Sequence, residues 1–220
     1  SVDSLQQLRD WLQDPRAKGT ARGIALWALG RHADAVPLLS ADKSNPVVAL
    51  CLAASQASLG NLDEAAKLLA NRERDPGQAL VWLRALDHAS DRERLIAEFA
   101  KCRGQLSELD QKYFAGRVAE LDHDIDTAIA RYDEVLVADQ NHKQALFRLA
   151  VNVDLRGEDE EARELYERAL MSPPVNVACV VNLGILYEDM GNYRRAMQCF
   201  DLALQANPDN ARARLYRRDA

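Results

Sequence analysis

Apolar and small residues recur at helical spacing along most of the chain, most clearly over residues 177–210. There Leu183, Gly184 and Tyr187 share a face of one helix, and Ala196, Phe200, Ala203 and Leu204 share a face of a second. Gly191, Asn192 and Tyr193 make the turn between them, and Pro208 closes the unit. Small residues stand where two antiparallel helices must approach closely, and large ones fill the space between. A shift of 34 positions toward the N-terminus repeats the pattern as Leu149, Ala150, Val153, Gly157, Ala162, Tyr166, Ala169 and Pro174. A second shift gives Ala115, Gly116, Ala119, Ala128, Tyr132 and Leu136. No segment alternates with period two, so the pattern predicts helices and almost no strand.

The same pairing, less regular, extends toward the N-terminus. Leu5, Leu8, Trp11 and Leu12 stripe a short helix over 2–13, capped by Asp3 or Ser4 and ended at Asp14-Pro15. Helix pairs are predicted over 20–29 and 33–39, with Pro37 shortening the second, and over 46–59 and 63–70. The pair over 76–88 and 91–101 lacks the glycine turn, carries Trp82 where a small residue is expected, and has Ser90 and Glu93 spaced as a capping box. Regular pairs follow over 109–121 and 125–137, then 143–155 and 160–170, with Ser107 as a cap and the acidic run 158–161 at a helix start. Residues 211–220 begin a further helix.

This series of helix pairs resembles the tetratricopeptide repeat, a helix–turn–helix unit of about 34 residues that needs neighbours to bury its apolar face. The resemblance implies an all-α, right-handed superhelical array. A capping helix is expected over 1–15, degenerate repeats over 16–108, three clear repeats over 109–210 and the start of a C-terminal cap over 211–220. It also implies a groove lined by the second, fifth, sixth, ninth and twelfth positions of each first helix. Carried over, these are Asp110, Tyr113, Phe114, Arg117 and Glu120, then Gln144, Phe147, Arg148, Val151 and Asp154, then Ala178, Val181, Asn182, Ile185 and Glu188. The last helix adds Arg212, Leu215 and Tyr216.

Aromatic rings beside arginines are the makings of a binding hot spot. The expected protein-binding residues are therefore Tyr113, Phe114, Arg117, Phe147, Arg148, Asn182, Ile185, Arg212 and Tyr216. The family's carboxylate clamp is incomplete here, because Phe147 and Val151 stand where Lys and Asn are required, so no chaperone-tail binding is expected. A narrower resemblance, over 181–189 and 211–215, is to the repeat arm of bacterial proteins that carry a domain like the C-terminal domain of the RNA polymerase alpha subunit. It implies a transcription-linked role for a longer protein.

Composition changes this picture little. The 220 residues carry a net charge of −6, which disfavours nucleic-acid binding by this chain, although Arg212, Arg214, Arg217 and Arg218 against Asp219 leave the last stretch basic. Cys51, Cys102, Cys179 and Cys199 form no metal-binding spacing and read as reduced apolar fillers. No membrane span or signal peptide is visible, so a cytoplasmic protein is expected. The start at Ser and the arginine-rich end suggest a piece of a longer chain. His32, His88, His123 and His142 fall on separate turns, His123 where other units have glycine. No nucleophile, phosphate-loop or zinc motif is present, so no enzyme activity, metal or cofactor is expected. The expected function is a scaffold for a peptide or protein partner, with homo-oligomeric assembly as the alternative.

Overall fold

The computed structural model describes residues 10–70, 75–171, 176–206 and 210–219. Most of the expected N-terminal capping helix lies outside these residues, as do Pro174 and Pro208. Among the described residues the regular structure is helical throughout. The helices are α1 (Gly19–Ala28), α2 (His32–Leu39), α3 (Pro46–Ser58), α4 (Leu62–Leu68), α5 (Pro76–His88), α6 (Arg92–Cys102), α7 (Glu108–Leu121), α8 (Ile125–Ala138), α9 (Lys143–Leu155), α10 (Asp159–Leu170), α11 (Val177–Asp189), α12 (Tyr193–Ala206) and α13 (Ala211–Asp219). The chain divides into two compact units, Ser1–Phe114 and Ala115–Ala220.

Local chemistry starts the helices where the pattern places them. Asn45 caps α3 through Val47 N–H at 3.0 Å, Ser107 receives Asp110 N–H at 3.1 Å, and Asn176 receives Cys179 N–H at 3.2 Å. The expected Ser90 capping box is not formed. Asp91 caps α6 instead, through Arg94 N–H at 3.2 Å, and Ser90 sits one residue earlier in the turn with φ of 55°. Ser90 and His123 (φ 63°) occupy the left-handed turn position that Gly191 (φ 75°) fills in the regular pair. The acidic run falls in the first turn of α10, where Asp159, Glu160 and Glu161 meet the positive end of the helix dipole.

In the first unit the core gathers Leu26, Ala35, Leu39, Val48, Cys51 and Leu52. Pro37 lies inside α2, which is only eight residues long. Trp82 is buried, and its indole N–H donates to Glu98 at 3.2 Å, so this irregular pair crosses around a large ring rather than a small side chain. The second unit follows the small–large rule. Ala196 and Phe200 are wholly buried, and a Cβ built on Gly184 would stand 2.6 Å from Phe200 Cε1. Ala213 of α13 packs with Val180, Val181 and Ala203, so the last helix closes this end of the unit.

Candidate functional site

Tyr113, Phe114 and Arg117 are not groove residues open to solvent, as the register suggested. They are 6%, 0% and 4% exposed. The Phe114 ring packs against Phe99 of α6, with centroids 6.0 Å apart, and Tyr113 meets Phe114 edge-on at 5.1 Å. The Tyr113 hydroxyl donates to Asp87 at 3.3 Å. The preceding helix pair therefore takes up these rings. Periodicity locates a face of the helix and does not say which neighbour covers it.

Arg117 faces a carboxylate rather than a partner. Its guanidinium lies 2.7 Å from Glu120, which also receives the Tyr132 hydroxyl at 2.7 Å and Arg148 at 3.4 Å. Glu120 thus ties three side chains from successive helices. One repeat later the Tyr166 hydroxyl donates to Asp154 at 3.0 Å. Burial and the Asp154 charge both hold the Tyr166 phenol far above its ordinary range, and burial raises Asp154 as well. This tie joins the two helices of the pair, α9 and α10. A further repeat on, Phe200 replaces the tyrosine, and Glu188 Oε2 is buried with no hydrogen-bond partner among the described residues. The tyrosine–carboxylate tie was missed in the sequence, although Glu120, Asp154 and Glu188 recur at the 34-residue spacing.

The remaining site residues lie in the second unit and are at least partly open. Phe147 is half-buried beside Tyr166, centroids 6.3 Å apart, with the Arg148 guanidinium 5.5 Å over its ring. Asn182 donates to the Tyr166 hydroxyl at 3.4 Å and accepts from exposed Arg212 at 3.2 Å. Tyr216 stacks on Phe200 at 5.7 Å with the planes 20° apart. Ile185 is half-buried against the Val180–Val181 cluster, and Val181 itself is core. Asn182 of α11 and Arg212 of α13 are thus hydrogen-bonded to each other, and Arg148, Phe147, Ile185 and Tyr216 lie on first helices of the same unit. Amide and guanidinium groups of this kind can hydrogen-bond to backbone and carboxylates.

The first unit holds a site that sequence reasoning overlooked. A cavity of about 160 Å³ opens between Trp27 of α1, Ala54, Ala57 and Ser58 of α3, and Val81, Arg84, Ala85 and His88 of α5. The signal was the run Ala53-Ala54-Ser55-Gln56-Ala57-Ser58, whose small side chains leave room between larger ones on each side.

The cysteines are all free. Burial pushes the Cys179 thiol up to about 12 and Cys199 to about 11, so both are protonated and inert as nucleophiles near neutral pH. Among the described residues no three His, Cys, Asp or Glu side chains gather as a metal site, and no helix is long and apolar enough to cross a membrane.

Tetratricopeptide repeat models match residues 115–176 and 181–210, so the second unit carries tetratricopeptide repeats. The chain is 30% identical over 100 residues to the photosystem I assembly protein Ycf3 of Synechococcus sp. (strain CC9311), covering 44% of this chain and 58% of that protein. To Ycf3 of Prochlorococcus marinus (strain MIT 9215) it is 31% identical over 84 residues, 37% of this chain and 49% of that one. The chain thus spans about half the length of the curated relatives it matches. Among solved structures, the APC/C hetero-tetramer Cut9-Hcn1 is similar in fold, with a TM-score of 0.65 at 15% identity over 98% of this chain and 45% of that one.

Proposed function

We propose that this chain is a non-catalytic scaffold that seats a peptide or protein partner on the first-helix face of its second unit. The observation that carries the reading is the Asn182–Arg212 hydrogen bond between α11 and α13, with Arg148 over the half-buried Phe147 ring and with Tyr216 on first helices of the same unit. Their polar groups keep hydrogen-bonding capacity for a peptide backbone or carboxylate, and the flanking rings are of the kind that anchor interfaces. Arg212 is exposed, and Asn182 holds it in place, which lowers the ordering cost of binding. The match to assembly proteins supports a role in bringing polypeptides together. The test is affinity capture from the native cell lysate, comparing the wild-type chain with an Asn182→Ala, Arg212→Glu variant. A partner retained by the wild type and lost by the folded variant supports the reading, and undiminished capture overturns it. RNA polymerase subunits among the lost partners would place the scaffold in transcription, as the narrower sequence resemblance implies.

A further inference from the structure

The second unit holds an open groove of about 320 Å³ between α10 and α12, two second helices, with α11 beneath. Leu183, Tyr187 and Cys199 give it an apolar floor, and Leu202 lines one wall. Glu167 and Arg195 also line it and are both engaged by the Tyr187 hydroxyl, which accepts from Arg195 at 3.1 Å and donates to Glu167. One repeat earlier, Leu165 and Arg168 stand where Cys199 and Leu202 stand. There Leu165 is buried and Arg168 donates to the Gln140 carbonyl at 3.1 Å. Cys199 is smaller than leucine and Leu202 has no donor, so this groove stays open and apolar.

The walls carry opposite charge at equivalent repeat positions. Glu160 and Glu161 lie in the first turn of α10, and Arg194 and Arg195, 34 positions later, lie in the first turn of α12. All four are exposed, and Glu160, Glu161 and Arg194 make no ion pair among the described residues. Toward the other end of the same helices the exposed side chains are apolar, Met171 at 82% and Leu202 at 43%. Such a surface is complementary to itself under a two-fold axis that runs along the groove. That axis lays α10 of one copy over α12 of the other in the same direction, with acids over arginines at one end and Met171 beside Leu202 at the other. A segment of single charge would meet its own sign on one wall.

We infer that a second copy of this chain closes the groove, α10 of each copy lying over α12 of the other in an isologous dimer. The interface is built on second helices and leaves the first-helix face of the proposed function untouched, so the two stand or fall independently.

The test is sedimentation equilibrium of the full chain from about 5 to about 300 µM. The mass is expected to rise from 24.5 kDa toward twice that value. Leu202→Glu, Glu160→Arg and Arg194→Glu change exposed side chains, and each should weaken the dimer by at least about tenfold while helical circular dichroism is kept. An equimolar mixture of Glu160→Arg and Arg194→Glu should recover the wild-type affinity, because in the mixed dimer each altered helix meets its complement. Asn182→Ala, Arg212→Glu should dimerise as the wild type does. A chain that stays monomeric up to about 300 µM would leave the groove to another polypeptide and overturn the assignment. Undiminished dimers of Leu202→Glu would overturn it too, as would a mixture of the two charge variants that fails to recover.

Discussion

Single residues set the turns and crossings of this protein. His123 and Ser90 hold left-handed backbone conformations that cost a side-chain-bearing residue on the order of 1 kcal/mol. His123→Gly should therefore raise stability by about 1 kcal/mol, read from the urea midpoint. Gly184→Ala should lower it by about 1–3 kcal/mol, because the new methyl group would lie 2.6 Å from a buried ring. His32 supplies a pH signature. Burial, aided by the charge of His88, holds its imidazole below the ordinary 6.5. The unfolded chain binds that proton more tightly, so the stabilisation is full above about pH 6.5 and is lost as pH falls through the lowered value. Denaturant midpoints should fall between about pH 7 and pH 5.5 in the wild type, and less so in His32→Gln. Of these features, the special backbone of His123 was legible, because it stood where a glycine belonged. Ser90 was misread, since Asp91 beside it is an equally good cap and gives the helix its start.

At the scale of elements, helix after helix was legible from spacing, turn glycines and caps, because a 3.6-residue period and a cap are local properties. Burial at Tyr113, Phe114 and Arg117 was not, because it depends on which neighbouring helix covers the face. The tyrosine–carboxylate tie was hidden for a similar reason: its partners lie 12 residues apart on paired helices and meet only after folding. Glu120→Gln removes the charge that faces Arg117 and should cost about 3 kcal/mol in thermal or chemical unfolding. Phe200→Tyr should extend the tie to Glu188, whose Oε2 has no hydrogen-bond partner among the described residues, and stabilise by about 1 kcal/mol. A loss of stability would mean that the third pair crosses differently from the first two.

At the scale of the whole molecule, the repeat models match residues 115–176 and 181–210 in the second unit, while the first builds its core from less regular pairs with Trp82 and Pro37 inside them. A change in regularity along the chain was legible. The cavity was not, because it arises from what the small side chains of α3 fail to fill. The central claim is that a partner polypeptide lies on the first-helix face of the second unit. The most direct measurement places a photo-activated benzoylphenylalanine, in the native cell, at exposed Gln144 or Ala178 on first helices, and at exposed Ala130 on a second helix. Discrete cross-links to another protein from Gln144 and Ala178, and none from Ala130, are predicted. Cross-links from Ala130 alone, or equally from both faces, would contradict the account.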